Sequence, residues 1–258
     1  QVAVQGEWAV VAARYQTVSG VSQAGAVYIF RRVSGVWQFF QKLTEPLPVG
    51  PRMTAWFGHG ISLDADRLVI GSMQSDGAAS RSGIAYVFRF NGVNWAREAT
   101  LAPADGATGD GFGISVAIDD PYLVVGAPYR QVGAAAVRSG VAYVHFRSLS
   151  GWTLQSTLVP PAPETDQTFA ELVAMSGDIA LVNAPRETVN GLNDAGAVYT
   201  FRRTDTHWSK QRRIVTASPQ TSELFGFYIA IESDKMAVGG FRRSVVGFSQ
   251  AGSVDIYK

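Results

Sequence analysis

The 258-residue chain contains no cysteine, 17% charged residues and a formal net charge of +1 at pH 7. Without cysteine, a disulfide framework and thiol chemistry are excluded. The Arg and Lys residues are scattered among nearly as many carboxylates, so the basic stripe that phosphate recognition requires is missing and no nucleic-acid partner is expected. No apolar stretch reaches the ~18 residues of a membrane span, so no membrane insertion is expected either.

Short apolar runs separated by turn residues predict β-strands along the whole chain. In chain order the predicted strands include 2–4, 7–11, 25–30, 37–43, 67–71, 83–88, 112–118, 123–128, 140–144, 225–231, 235–238 and 252–257. The strands fall into units of four, and the last unit ends after its third strand.

Three sets of aromatic residues recur at intervals of 55 to 58 residues. The sets are Phe57, Phe112, Phe169 and Phe225; Trp37, Trp95, Trp152 and Trp208; and Tyr28, Tyr86, Tyr143 and Tyr199. A period of this length with four strands per unit is typical of a β-propeller, in which each blade buries its faces against its neighbours. The sequence therefore predicts an all-β fold: a five-bladed β-propeller of four-stranded antiparallel blades, the last of which lacks its outer strand.

The absence of any linker favours one domain over 1–258. Its predicted blades are approximately 1–56, 57–111, 112–168, 169–224 and 225–258. The recurrent aromatic residues are expected to pack between these blades, because each ring can bury ~150–250 Å².

The motifs of this unit resemble the FG-GAP repeat. Phe-Gly opens the unit, Leu-Val-Val-Gly-Ala-Pro forms its second strand and ends it with Pro, and Gly-x-Ala-Tyr-Val forms its third strand. The resemblance is to the bacterial variety found in secreted or surface proteins, with the propeller head of the integrin α chain as a distant relative. It covers essentially all of the chain and departs from the motif at Ala170, which replaces its second Gly, and at 238–240, where Ala-Pro is lost. This resemblance implies a binding or adhesion module that is secreted or lies at the cell surface.

Loop lengths predict where such a module would bind. The connections from first to second strand and from third to fourth strand are short turns, whereas those from second to third strand and from blade to blade are long. Antiparallel strands alternate in direction, so both long sets are expected on one face. Loops carry binding function more often than the scaffold does.

Aromatic and arginine residues in these long loops are the predicted ligand-binding residues. The aromatic residues outside the repeat pattern are Tyr15, Trp56, Tyr129, Phe241 and Phe248. The arginines beside them are Arg14, Arg52, Arg81, Arg130, Arg138, Arg186, Arg242 and Arg243. The predicted site comprises Tyr15, Trp56, Arg81, Tyr129, Arg130, Phe241 and Arg242. Rings that stack and guanidinium groups that donate forked hydrogen bonds suit a glycan or protein partner, and chance surface decoration is the alternative.

Neither a metal nor a cofactor is expected. Calcium-binding FG-GAP blades carry a long acidic loop between the first two strands, because a hard cation needs six or more oxygen ligands. Here the connections are tight turns with at most two carboxylates, as at Asp64 and Asp66 or Asp119 and Asp120. The remaining acidic loop, 105–110, has no equivalent in the other blades.

Catalysis is not expected. The three histidines, His59, His145 and His207, occupy different structural positions in different blades, and His145 stands where other blades have Phe. His59 and Glu171 share one motif position and form the only candidate catalytic pair. No Gly-x-Ser-x-Gly elbow, phosphate loop or His-Glu-x-x-His helix is present.

Three functional hypotheses remain. The first is a non-catalytic binding or adhesion module for a glycan or protein. The second is a structural repeat array, or a self-assembling fragment of a larger protein, without a ligand of its own. The third is an enzyme with a site at the channel mouth around His59 and Glu171. The open edge of the strand at 253–258 offers a route to a homo-oligomer, although the charge of Asp255 is of the kind that protects exposed edges.

Overall fold

The computed structural model describes residues 1–46, 54–133 and 137–258. All helices and strands assigned within these ranges belong to one type, the β-strand. Arg52 lies outside them. The described strands form four four-stranded sheets, one three-stranded sheet and a small two-stranded ribbon. The fold is a five-bladed β-propeller whose last blade has three strands, which confirms the predicted fold class.

The strand bounds follow the repeat. Blade 1 comprises β1 (Val2–Gln5), β2 (Trp8–Ala13), β3 (Ala26–Val33) and β4 (Val36–Thr44). Blade 2 comprises β5 (Phe57–Asp64), β6 (Arg67–Ser72), β7 (Ile84–Phe90) and β8 (Trp95–Leu101). Blade 3 comprises β9 (Val116–Asp119), β10 (Tyr122–Ala127), β13 (Val141–Ser148) and β14 (Gly151–Leu158), with the ribbon β11 (Gln131–Val132) and β12 (Val137–Arg138) between its second and third strands. Blade 4 comprises β15 (Val173–Ser176), β16 (Ile179–Ala184), β17 (Ala197–Thr204) and β18 (His207–Ile214). Blade 5 comprises β19 (Phe225–Glu232), β20 (Lys235–Gly240) and β21 (Ser253–Tyr257).

Within each sheet the strands lie side by side in chain order, as β1-β2-β3-β4, β5-β6-β7-β8, β9-β10-β13-β14, β15-β16-β17-β18 and β19-β20-β21. The chain divides into two compact units, Gln1–Asp120 and Pro121–Lys258. The first unit contains blades 1 and 2 and β9, and the second contains β10 to β21.

The Phe-Gly motif forms a tight turn. The residue after Phe-Gly donates its backbone N–H to the carbonyl of the residue before it, with N···O distances of 3.0 to 3.2 Å at His59, Ile114, Glu171 and Phe227. The residue before Phe and the residue after it both have positive φ in all four copies. Ala170 takes this conformation too, with a φ of 66°, so the turn survives the loss of its glycine.

This turn corrects the predicted start of one strand. The prediction starts the first strand of blade 3 at Phe112, but β9 begins at Val116, and β15 of blade 4 likewise begins four residues after its motif Phe, at Val173. The positive φ values before and after Phe interrupt the regular extended backbone in all four copies. In blades 2 and 5 the strand continues through the motif, but its register with the second strand shifts there.

The junction between consecutive blades depends on the glycine that precedes each third strand. A Cβ atom at Gly25, Gly83, Gly140 or Gly196 would lie only 2.0 to 2.3 Å from the carbonyl oxygen of the next motif Phe. The N–H of the same Phe donates to the carbonyl of the residue before that glycine, at 2.8 to 3.0 Å. Only glycine permits this approach, and all four Phe side chains are fully buried.

The core lies between blades, as the repeat predicts. In the first unit, Val27 and Ile29 of blade 1 pack in one cluster with Phe57, Leu68 and Tyr86 of blade 2. In the second unit, a further cluster contains Leu181 and Val198 of blade 4 and Phe225, Met236 and Val238 of blade 5.

Gly83→Ala tests the junction glycine. The added methyl group would meet the backbone of Phe112, so the blade must shift or lose its hydrogen bond. Gly92→Ala is a matched control, because Gly92 has the same φ of 90° but no atom within 4 Å of the added Cβ. We expect the control to lower the free energy of unfolding by about 1 to 3 kcal/mol, and Gly83→Ala to lower it by about 2 kcal/mol more. Urea denaturation measures both values, and equal losses would contradict the proposed role.

Candidate functional site

Four loop and turn residues form a compact cluster in the first unit. The guanidinium of Arg14 lies 4.7 Å from the ring centre of Tyr15. The rings of Tyr15 and Trp56 meet edge to face at 5.7 Å, and Trp56 stacks on His59 at 5.9 Å with an interplanar angle of 17°. We call Arg14, Tyr15, Trp56 and His59 the aromatic cluster.

The repeat architecture positions the members of this cluster. Tyr15 is the second residue after β2, whereas Trp56 and His59 flank the Phe-Gly turn of blade 2. Gln23 holds Trp56 through two hydrogen bonds. Its backbone carbonyl accepts the backbone N–H of Trp56 at 3.1 Å, and its side-chain oxygen accepts the indole N–H of Trp56 at 2.9 Å. Trp56 is therefore held in place, not displayed on a loose loop.

His59 is engaged at both ring nitrogens. Its Nδ1 lies 2.9 Å from the carbonyl oxygen of Ile114, which can only accept, so Nδ1 carries the proton. Its Nε2 then accepts a hydrogen bond from the Arg14 guanidinium at 3.1 Å. Burial lowers the pKa of His59 most; the bond to Ile114 raises it, and the charge of Arg14 lowers it further. The neutral imidazole thus orients Arg14 beside the rings.

A second group forms around Tyr129 in the second unit. The Arg138 guanidinium lies 5.6 Å from the ring centre of Tyr129. Burial raises the pKa of Tyr129 and so does the charge of Glu171, while Arg186 and Arg138 lower it. Burial also raises the pKa of Glu171, against a hydrogen bond from Thr168 and the charge of Arg186. This group combines one phenol with one carboxyl and two guanidinium groups.

Tyr15 and Tyr129 share one repeat position, which the sequence pattern did not reveal. Each is the second residue after the second strand of its blade, as β2 ends at Ala13 and β10 at Ala127. Tyr129 lies close to Glu171, and Tyr15 contacts Trp56, whose ring stacks on His59. His59 and Glu171 each follow the turn motif directly, which is Phe-Gly in one case and Phe-Ala in the other. The prediction treated these tyrosines as outside the repeat because the loops that follow them differ in length and sequence.

Phe241 of blade 5 belongs to a third group. Its ring stacks on Phe227 at 5.0 Å with an interplanar angle of 22°, and the Arg242 guanidinium lies 5.7 Å from the Phe241 ring centre. Phe227 follows Phe-Gly as His59 does, and Glu171 follows Phe169-Ala170 at the same position of blade 4. The same structural position therefore carries an imidazole, a carboxyl or a phenyl ring in different blades.

Arg81, Arg130 and Phe248 are placed differently from the other predicted residues. The exposed Arg81 donates its backbone N–H to Asp76 at 2.9 Å, and no described contact links its side chain to the aromatic cluster. Arg130 is half-buried, and its carbonyl accepts the N–H of Gly140 at 3.0 Å. Phe248 is exposed at the end of a small hairpin in the loop of blade 5.

That hairpin recurs in three of the long loops. It is closed by the residue pairs Val18 and Val21, Val189 and Leu192, and Val245 and Phe248. Each hairpin is followed by a residue with a φ of 51° to 52°, at Gln23, Asp194 and Gln250, and then by Ala-Gly. The segments 17–25, 188–196 and 244–252 already show this pattern in the sequence, so the signal for Gln23 as a site residue was present.

In the first unit, an arginine forms ion pairs with carboxylates of the acidic turns. The nearly buried Arg67 lies 2.8 Å from Asp66, 3.1 Å from Glu98 and 3.5 Å from Asp120. Asp64 accepts the backbone N–H of Asp120 at 2.8 Å. These carboxylates stabilise turns and an ion-pair network. Among the described residues no group of three or more His, Cys, Asp or Glu side chains is arranged to hold a metal ion.

The other two histidines lie outside these groups. His145 is buried on β13, where other blades have Phe30, Phe88 and Phe201, and burial lowers its pKa to about 4. His207 is exposed at the start of β18. The burial of His145 agrees with its repeat position, where Phe88 and Phe201 are buried too.

Comparison with known families identifies the repeat. The FG-GAP repeat family matches residues 37–88, 95–145 and 152–201, which together make up more than half of the chain. Each match runs from the Trp of one fourth strand to the third strand of the next blade, so it contains one motif Phe and one junction glycine, which belong to two successive junctions. No curated protein matches the chain significantly. No helix in the described part of the chain is long and apolar enough to cross a membrane.

His145→Phe tests the buried histidine. The folded protein keeps His145 neutral down to about pH 4, whereas the unfolded chain protonates it near its ordinary pKa of 6.5. Stability should therefore fall as the pH drops from 6.5 to 4, by up to about 3 kcal/mol from this group.

The His145→Phe variant should lose this part of the pH dependence. Urea denaturation at several pH values from 4 to 7.5 measures it, with the exposed His207→Asn as a control for the loss of a histidine. If the free energy of unfolding changes with pH equally in wild type and in His145→Phe, burial does not keep His145 neutral.

Proposed function

Because the chain belongs to the FG-GAP repeat family, we propose that it is a non-catalytic binding module of a secreted or cell-surface protein. Its partner is a glycan or a protein, bound by the loops between second and third strands and by the residues that flank Phe-Gly. The propeller fold is consistent with such a module, because its buried strands leave the loops free to vary.

The aromatic cluster is the observation that supports this proposal best. Tyr15 is 54% exposed although its ring touches both Arg14 and Trp56. An exposed ring held by rigid neighbours loses little conformational entropy on binding, so more of its contact energy becomes affinity. The hydrogen bonds from Trp56 to Gln23 and from Arg14 to His59 supply that rigidity.

The surroundings of Tyr15 suit polar ligands with an apolar face. An open depression beside it is lined by Gln1, Ala12, Ala13, Arg14, Tyr15, Gln16 and Tyr28. A sugar ring can stack on Tyr15 while amide and guanidinium groups bond its hydroxyls. A protein partner would use the same Tyr and Arg side chains as anchors, since both types are enriched among residues that dominate binding energy.

The state of His59 supports a binding role over a catalytic one. A histidine that acts as a general base needs a ring nitrogen that is free to face the reacting group. Both nitrogens of His59 are already bonded, to Ile114 and to Arg14. Glu171 is half-buried against Thr168, Tyr129 and Arg186, where it stabilises the second group.

A purely structural repeat array is the second candidate. It is favoured by the recurrent aromatic residues that lie inside the core, such as Tyr86, Trp95 and Tyr199. Assembly of copies through the edge of β21 belongs to this candidate. Asp255 on that strand lies 3.7 Å from Arg243 of its own blade, so part of its charge is already compensated.

Tyr15→Ala and Trp56→Ala test the binding proposal. On a glycan array, and against candidate protein partners in a separate binding assay, wild type should bind saturably. Each variant should weaken binding by about tenfold or more, because truncation removes a central ring of the cluster.

Trp37→Ala is the matched control, since Trp37 is an exposed tryptophan on β4 that takes no part in the cluster. It should bind like wild type. Folding of each variant is checked by circular dichroism, and Tyr15→Ala remains informative if Trp56→Ala fails to fold. Saturable binding that survives in Tyr15→Ala would place the binding site outside the aromatic cluster, and no saturable binding in either assay would favour the structural candidate.

A further inference from the structure

One face of blade 5 is apolar and exposed, although the same face is buried in every other blade. The second and fourth residues after the junction glycine point to this face. In blades 1 to 4 they are at most 6% exposed, as Val27 and Ile29, Ala85 and Val87, Ala142 and Val144, and Val198 and Thr200. In blade 5 they are Val254 and Ile256, which are 68% and 71% exposed.

The exposed face is part of a larger depression. Tyr228, Ala237, Gly239, Ala251, Gly252 and Val254 are among the residues that line it, and its volume is about 560 Å³. Tyr228 is exposed as well. We call this depression together with Ile256 the terminal face. It lies wholly within blade 5, shares no residue with the aromatic cluster, and does not depend on the proposed function.

The equivalent face of blade 1 shows what fits there. The carbonyl of Gln23 accepts the N–H groups of Ala55 and Trp56 at 3.2 and 3.1 Å, and the carbonyl of Ala24 accepts that of Phe57 at 3.0 Å. Phe57 and the strands of blade 2 then cover the face of blade 1 that Val27 and Ile29 form. Blade 4 repeats the arrangement, since Asn193, Asp194 and Ala195 accept from Ser222, Leu224 and Phe225 at 2.9 to 3.0 Å.

The loop of blade 5 has the same sequence and conformation as the loop of blade 1. Residues 249–252 and 22–25 both read Ser-Gln-Ala-Gly. Gln250 and Gln23 have φ values of 51° and 52°. The Gly252 N–H donates to the Arg243 carbonyl at 2.9 Å, just as the Gly25 N–H donates to the Gln16 carbonyl at 3.0 Å.

The space for an incoming strand is present as well. A Cβ at Gly25 would lie 2.2 Å from the carbonyl oxygen of Phe57, but the nearest atom to a Cβ at Gly252 is 3.4 Å away and belongs to blade 5 itself. Blade 5 therefore presents the acceptor loop, the glycine and the apolar face of a junction.

We propose that the terminal face is a docking site for the Phe-Gly-opened strand of another blade. The partner is a polypeptide of the type Ala-aromatic-Phe-Gly followed by an apolar strand. Its backbone N–H groups bond the carbonyls of Gln250 and Ala251, its Phe carbonyl lies over Gly252, and its apolar side chains cover Val254 and Ile256. An indole before the Phe donates to the Gln250 side chain, as Trp56 does to Gln23.

A second copy of this chain does not supply this strand. The four residues that could open it, Phe57, Phe112, Phe169 and Phe225, are fully buried in their own junctions. Burial of the terminal face by a repeat outside these 258 residues is therefore favoured over self-association through it.

A synthetic peptide with the sequence of residues 54–64, TAWFGHGISLD, is the probe. Titration of the fluorescently labelled peptide with the 258-residue protein should raise its anisotropy saturably, with a Kd below about 1 mM. The same peptide with Ala in place of Phe57 should bind at least about tenfold more weakly, because the ring that fills the junction is missing.

Variants of the protein locate the site. Val254→Lys places a charge on the exposed face and should weaken peptide binding at least about tenfold. Val93→Lys, the same change at an exposed turn of blade 2, should leave it unchanged. Both positions are on the surface, so both variants should fold, which thermal melting verifies.

Three results would overturn the proposal. One is no saturable binding at peptide concentrations up to about 1 mM. Another is equal binding by wild type and Val254→Lys. The third is a solution mass of two chains without peptide that returns to one chain in Val254→Lys, because the terminal face would then be covered by a second copy.

Discussion

Contact between a glycine and the backbone of the next Phe-Gly turn is the constraint on which the rest of the structure depends. The carbonyl oxygen of each motif Phe occupies the place where a Cβ would stand. This lets the Phe N–H reach the preceding loop and brings the apolar faces of two blades into contact. The hydrophobic burial that stabilises the fold is thus available only where a residue without a side chain permits the approach.

The junction also explains how one scaffold presents different chemistry. The second residue after the second strand and the first residue after the Phe turn belong to one side-chain group at a junction. In one group they are Tyr15 and His59, both in contact with Trp56, and in another they are Tyr129 and Glu171. Neither position takes part in the glycine contact, so both can vary without loss of the fold.

Much of the fold could be predicted from the sequence, because every junction needs a glycine and a Phe at fixed positions and so repeats them with one period. Gly83 and Gly140 recur for this reason, as do Phe112 and Phe169, whose backbone they contact. The turn that precedes β9 could not be predicted, because the positive φ before each motif Phe occurs at Trp56, Gly111, Thr168 and Leu224, which do not share a side-chain type. For the candidate site, the sequence offers residue types and loops. The contact between Tyr15 and Trp56 joins two blades and depends on the bonds from Trp56 to Gln23, which a single sequence does not show.

Blade 5 shows that the loop is anchored independently of the next blade. In blades 1 and 4 a tyrosine on the third strand donates to a loop residue, from Tyr28 to Gln16 at 2.7 Å and from Tyr199 to Glu187 at 2.8 Å. In blade 5 the equivalent pair is Asp255 and Arg243, 3.7 Å apart. The exchange of a hydrogen-bonded pair for an ion pair reverses donor and acceptor but keeps the loop attached to its own sheet. The acceptor loop of a junction is therefore formed by its own blade before any neighbour covers it.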